Sequence, residues 1–282
     1  MVIKTVHDLS FPLKEKYAIM IAPSFIVDFS YPEIIIALRK LGFDKVVEVT
    51  YGAKMINREY YNKLKDARSL VISTACPGIV ETIKAKLPKY EKKLILIDSP
   101  MTAMAKVCKK TYPNHKVSFL SPCHFKKIEA SKCKDIDCVI DFTELSDLFK
   151  KRKIKLSSLK NQKGQFDKFY NDYTKIYPLS GGLSKTAKIK KFLLKEEHID
   201  IDGISEVLKF LENPKKKIKF LDCTFCKGGC IGGPCINSKA PLFIRKRRVL
   251  NYIKKALKED IPEAKKGLVK KAKGLKFFKK SL

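Results

Sequence analysis

The stretch SLVISTACPGIVETIKAKLP (Ser69–Pro88) moves from a short apolar run, through a Cys-Pro-Gly turn, into a helix-like segment closed by Pro88. A brief apolar run bounded by turn residues reads as a buried strand, and a proline beyond a periodic segment marks the end of a helix. The same order recurs on both sides. YAIMIA (Tyr17–Ala22) is a strand-like run, followed by SYPEIIIALRKLG (Ser30–Gly42), which has a proline near its start, an apolar stripe and a terminal glycine. DKVVEVT (Asp44–Thr50) reads as the next strand. KLILID (Lys93–Asp98) leads into SPMTAMAKVCKK (Ser99–Lys110), where Ser99 can cap a helix and Pro100 suits its first turn. KVSFL (Lys116–Leu120) then leads into SPCHFKKIEASK (Ser121–Lys132). Strands that alternate with helices predict an α/β fold with parallel sheets covered by helices.

The strand exits are chemically distinctive: IAPS (Ile21–Ser24), STACPG (Ser73–Gly78), IDSP (Ile97–Pro100) and LSPC (Leu120–Cys123). Ligands of open α/β sheets lie beyond the carboxyl ends of the strands, so these turns are expected to face one crevice. Two of them carry cysteine. Proline beside each cysteine fixes the local backbone, and small Ser or Ala neighbours leave room, as a rigid metal pocket needs.

Further along, LDCTFCKGGCIGGPC (Leu221–Cys235) holds four of the nine cysteines and four of the thirteen glycines. Soft thiolates select zinc, copper(I) or iron-sulfur clusters, and glycine lets the backbone approach a bulky inorganic group. The spacing C-x2-C-x3-C-x4-C matches neither the paired halves of a zinc finger nor the ferredoxin run. Taken alone it leaves a zinc site, a ferredoxin-like cluster and part of a larger cofactor pocket all open.

Composition narrows the class. A chain of 282 residues with 45% hydrophobic content can fill a core, which argues against disorder. No apolar run approaches the ~18 residues of a membrane span, and the N-terminus lacks the pattern of a secretory signal, so a cytoplasmic protein is expected. In a reducing compartment the nine cysteines read first as metal ligands, reactive thiols or small core residues. The net charge of +31 would ordinarily suggest nucleic acid. Its lysines, however, are scattered at helix-like spacings with no nucleic-acid-binding motif beside them, which favours a solvated face or an acidic protein partner. Residues 265–282 form a basic tail with eight lysines and no acid, read either as an amphipathic surface-seeking segment or as a basic helix.

The middle of the chain is less regular. KKRKIK (Lys150–Lys155) and the polar stretch after it read as a connection between lobes. Ser180, Gly181 and Gly182 open an apparent helix in YPLSGGLSKTAKIKKFLL, and IDGISEVLKFLEN reads as another. KKIKFLDC reads as the strand that delivers the glycine-rich cysteine motif.

Together, ACPG around Cys76, SPCHFKKIE around Cys123, and TFCKGGCIGGP around Cys226 and Cys230 resemble the three signature segments of the iron-only ([FeFe]) hydrogenase catalytic domain. IAPS, LRKLGFDKV, YGAK, SPMTAM and LSGGL are similar to that family's pocket-lining stretches, and the likeness runs from about Tyr17 to Arg248. It implies a two-lobed fold over residues 1–264, with lobes near 1–150 and 151–264 and the cofactor between them. It further implies that Cys76, Cys123, Cys226 and Cys230 hold a [4Fe-4S] cubane. Cys230 would be shared with a two-iron unit carrying CO, CN and dithiolate ligands. Lys126 would donate to a cyanide, and Ala22, Pro23, Ser24, Gly181 and Gly182 would line the pocket. Cys223 and Cys235 fall outside the family's ligand positions. Cys108, Cys133 and Cys138 read as small core residues on helices or their edges, and His124 as an exposed or supporting neighbour of Cys123.

The departures are equally specific. Hydrogen-producing members place a proton-relay cysteine immediately before the first ligand, and here that residue is Ala75, which carries no proton. Glu59 matches one acid of that relay, Asn62 replaces the other, and Ser99 matches its serine. Ser121 and Thr224 stand where the family has methionines. Ala75 and GGCIGGP are similar to the sensory members, which implies slow turnover or H2 sensing. No cysteine precedes Cys76, so the resemblance implies electrons from a separate ferredoxin-like carrier, with maturation proteins supplying the cofactor. A cluster protein without the two-iron unit is the main rival, and a zinc-stapled nucleic-acid binder is a third reading.

Overall fold

The computed structural model describes residues 4–279. Its strands are β1 (Tyr17–Ile21), β2 (Lys45–Glu48), β3 (Val71–Ile72), β4 (Lys116–Ser121), β5 (Cys138–Asp141), β6 (His198–Asp202) and β7 (Phe220–Thr224). Its helices are α1 (Glu33–Lys40), α2 (Thr50–Leu64), α3 (Pro77–Lys86), α4 (Pro100–Thr111), α5 (Phe125–Ser131), α6 (Phe142–Lys151), α7 (Gly182–Thr186), α8 (Ile204–Glu212) and α9 (Leu242–Ala256).

Two parallel sheets result. One has the order β2-β1-β4-β5 and the other β3-β7-β6. Parallel strands covered on both faces should be apolar throughout, and YAIMI of β1 is buried at every position. The main core gathers around the first sheet, including Ile19, Val47, Leu120, Ile34 and Met104. A second cluster under α3 and α8 joins Ile72, Ile79, Ile83, Val207, Leu211 and Leu221. The two sheets interleave in sequence, because β3 from the first half pairs with β7 from the second half. A division of the chain near residue 150 therefore does not separate the sheets.

Four expectations change. KLILID does not form a strand: a 3-10 turn over Pro88–Lys93 consumes its start, and Leu94 and Ile97 make only single bridges. The helix expected after Gly182 stops at Thr186, since Lys188 takes a left-handed φ of 55° before a further short turn. Cys138 lies on β5 rather than on a helix or its edge, and there, like Cys108 on α4, it is fully buried. The basic tail is also not helical where it is described. Its 3-10 turns give way at Gly274, with φ 82°, to an extended end along Leu96–Asp98. That end is fastened by a bond from the Asp98 amide to the Phe277 carbonyl (3.0 Å) and by burial of Phe277. Residues 280–282 lie outside the described residues.

Candidate functional site

The strand order of the first, all-parallel sheet reverses at β1, which has β2 on one side and β4 on the other. Such a switch point opens a crevice at the carboxyl ends of the strands. A cavity lies there, lined by the residues that leave β1 (Ala22, Pro23, Ser24), β2 (Val49, Thr50) and β4 (Pro122, Cys123). The second sheet closes it with Ala75 and Cys76 after β3, and with Thr224, Phe225 and Cys226 at and beyond the end of β7. Gly181, Gly182, Gly229 and Cys230 complete the wall. The four thiols singled out from sequence, far apart in the chain, thus meet around one cavity. All five predicted pocket residues, Ala22, Pro23, Ser24, Gly181 and Gly182, also line it.

Each cysteine is positioned by local chemistry. Cys76 sits at the N-cap of α3 with Pro77 in the first turn, and its sulfur accepts from the Phe225 amide at 3.4 Å. Ser121 closes the turn around Cys123, donating to its carbonyl at 2.9 Å and accepting from its amide at 3.1 Å. Cys230 is open to the cavity interior yet walled by protein. Burial pushes its thiol up, as do Cys76 and Cys123 nearby. The Cys226 thiol is pushed up to about 12 by burial and by the same two neighbours. Cys123 is raised mainly by burial, against amide donors and Lys126. Cys123, Cys226 and Cys230, held up in this way, are poor anions by themselves and good ligands for a cation that takes their protons' place.

The wall is built for close approach. Gly181 has φ 68°, and a side-chain carbon there would lie 2.6 Å from Asp200 Oδ2. A carbon on Gly229 would lie 2.6 Å from the Pro178 carbonyl, and one on Gly233 2.5 Å from the Pro122 carbonyl. Two buried hydroxyls in the lining, Ser24 Oγ and Tyr177 OH, have no hydrogen-bond partner among the described residues. Buried polar atoms are rarely left so. Soft donors, orphaned hydroxyls and glycine walls fit a bulky iron-sulfur group.

Lys126 enters from α5 with a side chain 12% exposed. Its ammonium contacts Glu129 Oε2 at 2.6 Å and the Ser99 hydroxyl at 3.2 Å. Ser99 is fully buried and also caps α4 through the Thr102 amide at 3.3 Å. Burial pushes the Glu129 carboxyl up, yet Lys126 and Lys279 overcome this and hold it below the usual carboxylate range. Glu129, three residues after Lys126, is a site residue that the sequence reading quoted without assigning a role. Glu59 on α2 is half-buried, with its carboxyl raised by burial, and lies outside the cavity lining.

The other cysteines divide clearly. Cys223 is buried in the lining, 3.9 Å from Ser73 Oγ. Cys235 is buried behind the site, 3.4 Å from the His124 ring nitrogens. His124 Nδ1 is also 3.5 Å from Asp141 Oδ2, but that oxygen already accepts from Lys127 at 2.9 Å. His124 does not line the cavity.

A family described as the iron only hydrogenase large subunit, C-terminal domain, matches residues 15–234. This chain belongs to that family. Iron hydrogenase 1 of Clostridium pasteurianum is 26% identical over 266 residues, covering 73% of this chain and 46% of that protein. The NADP-reducing hydrogenase subunit HndD of Solidesulfovibrio fructosivorans is 24% identical over 258 residues, 70% of this chain and 44% of its own. A probable cytosolic Fe-S cluster assembly factor, narfl, of Dictyostelium discoideum is 29% identical over 170 residues, 40% of this chain and 32% of its own. The chain thus spans under half the length of these curated relatives. The solved [FeFe]-hydrogenase HydA1 from Chlamydomonas reinhardtii shares the fold, with a TM-score of 0.65 at 15% identity, covering 90% of this chain and 86% of that one. The fold is therefore that of the hydrogenase catalytic domain, and the family is one of iron-sulfur oxidoreductases. Among the described residues no helix is long and apolar enough to cross a membrane.

Proposed function

We propose that this chain binds a hydrogenase-type iron-sulfur cofactor and acts on H2 slowly, as a sensor does. The observation that supports this best is the meeting of Cys76, Cys123, Cys226 and Cys230 around one cavity with Lys126 in its wall. When bound, a [4Fe-4S] cluster with a two-iron unit carrying CO, CN and dithiolate ligands supplies the chemistry that interconverts H2 with protons and electrons. Cys76, Cys123, Cys226 and Cys230 would hold the cubane, and Cys230 would also serve the two-iron unit. Lys126 spends two of its three donors on Glu129 and Ser99 and has one left for an anionic ligand. Ala22, Pro23, Ser24, Gly181 and Gly182 keep the pocket narrow and dry, while Ser24 and Tyr177 offer hydroxyls left unpaired among the described residues. Ala75 cannot pass a proton from the cavity toward Glu59 and Ser99, and slow turnover follows.

The protein works in the cytoplasm, receives its cofactor from maturation proteins, and exchanges electrons with an acidic ferredoxin-like carrier drawn to its basic surface. Reduction by such a carrier should weaken steeply with added salt. Iron and sulfide content, with infrared spectra of matured protein, tests the central reading. Six irons with CO and cyanide bands support it. Zinc in place of iron rejects it.

A second reading is supported by Ala75 together with the likeness to the cluster assembly factor. In it the cubane is bound and the two-iron unit is never taken up, so the protein transfers electrons or signals. Iron and sulfide without CO or cyanide bands after maturation select this reading.

A further inference from the structure

The cavity wall carries an acid that none of the roles above uses. Asp222 on β7 is 5% exposed and lines the cavity. Asp200 on β6 is its direct partner across the parallel ladder, so the two carboxylates project from the same face. Ser184, in the first turn of α7, joins them. Its amide donates to Asp222 Oδ2 at 3.0 Å, and its hydroxyl donates to Asp200 Oδ1 at 2.5 Å. Ser184 thus bridges the two carboxylates, with its amide on one and its hydroxyl on the other. Asp200 is exposed and lines an open groove with Asp202, Glu206 and Lys227.

We propose that Asp222, Ser184 and Asp200 form a proton path from the cavity to this open groove, replacing the exit that Ala75 closes. The proposal rests on the H2-activating reading above. A proton that reaches the Asp222 carboxylate forms the acid. The Ser184 hydroxyl accepts that proton as it passes its own to Asp200, and Asp200 releases one to water in the groove. Rotation of the serine hydroxyl then resets the path. One proton crosses, and no electron moves. A hydroxyl can act in this way because it is both donor and acceptor.

The electrostatics suit a carrier that both loads and unloads. Burial pushes the Asp222 carboxyl up, and Asp200 adds like-charge repulsion, bringing it to about 7. The other ionisable groups acting at this spot are Cys223 on the same strand, Tyr60 of α2 and Tyr177. A carrier near neutrality exchanges protons in both directions.

The full chain without cofactor tests the path first. Infrared difference spectra should show a protonated carboxyl that titrates near 7 and vanishes in Asp222→Asn, with its midpoint lowered in Asp200→Asn. Deuterium uptake at that carboxyl should slow by about 100-fold in Ser184→Ala and return in Ser184→Thr, which keeps the hydroxyl. In matured protein, Asp222→Asn and Ser184→Ala should lower H2/D2O exchange by a similar factor with iron content and CO and cyanide bands unchanged. Titration of Asp222 like an exposed aspartate, or uptake in Ser184→Ala as fast as in wild type, would overturn the path. Absence of CO and cyanide bands would instead reject the H2 reading, and the measurements without cofactor would still decide the path.

Discussion

Beside the cavity, Lys175 and Glu48 form an ion pair with side chains only 1% and 2% exposed. Tyr252 OH donates to Glu48 Oε1 at 2.9 Å, Thr50 Oγ1 donates to Oε2 at 3.1 Å, and the Lys175 ammonium also contacts Tyr252 OH at 3.0 Å. The next two residues after Glu48, Val49 and Thr50, are cavity wall. Lys175→Met keeps most of the apolar stem and removes the charge. Breaking a buried pair on one side costs ~3–5 kcal/mol, because the surviving ion has no counter-charge. Two hydroxyl donors to Glu48 remain, and each is worth ~1.5–3 kcal/mol to a charged group. The loss should therefore sit near the lower bound, at about 3 kcal/mol. That is a large share of the ~5–15 kcal/mol that holds an ordinary domain together. In urea, with a slope of ~3 kcal/mol per molar for a chain of this size, the midpoint should fall by about 1 M. Adding Glu48→Leu to Lys175→Met should recover most of the loss, since both charges leave together. A drop under ~1 kcal/mol for Lys175→Met, or no recovery in the double variant, would refute the assignment of this pair as the anchor of the β2 exit.

Cys76→Ser and Cys226→Ser should each lose most of the bound iron by metal analysis, whereas Cys108→Ala, buried in α4 away from the cavity, should keep it and lose only about 1 kcal/mol in urea. Ala75→Cys in matured protein should raise H2 turnover by about 100-fold, and an unchanged rate with intact CO and cyanide bands rejects the relay argument. Gly229→Ala should destabilise by about 3 kcal/mol, because its φ of 79° and ψ of −150° suit only glycine and the new carbon meets the Pro178 carbonyl at 2.6 Å. Asp222 is raised to about 7, so between pH 4 and 7 the native state binds more protons than the unfolded one. Its contribution to stability is thus present at the acid end and lost as pH rises, by up to ~1.4 kcal/mol per unit, and Asp222→Asn should remove that slope in urea titrations from pH 4 to 8.

The legible parts of this sequence are those where local pattern and site chemistry coincide. The exits of β1, β3 and β4 could be read because each apolar run ends on a small or proline-containing turn, and a parallel sheet brings such exits to one edge. Two of the four thiols, Cys76 and Cys123, lie on that edge, and the full set was implied by the resemblance to the hydrogenase family. KLILID misled because its apolar run is strand-like, but its only strand neighbour on that side is the two-residue β3, and burial of Leu94, Ile95 and Ile97 needs no ladder. HIDID of β6 was illegible for the opposite reason. Alternating acids give no strand signal, and Ile201 and Asp202 read as the start of the following helix until β7 is known to pair beside them; only that register turns Asp200 and Asp222 into neighbours. Glu129 could have been found from its three-residue spacing after Lys126, which on any helix puts an acid beside a base. The meeting of Cys235 with His124 carries no such signal, since it depends on the path of a loop more than a hundred residues later. Local rules thus show where a side chain leaves its own element, and pairing between distant strands decides which groups share a proton. If the Asp222 path carries protons, the decisive chemistry of this protein sits in that second category, and loss of a relay thiol at residue 75 is a change of route.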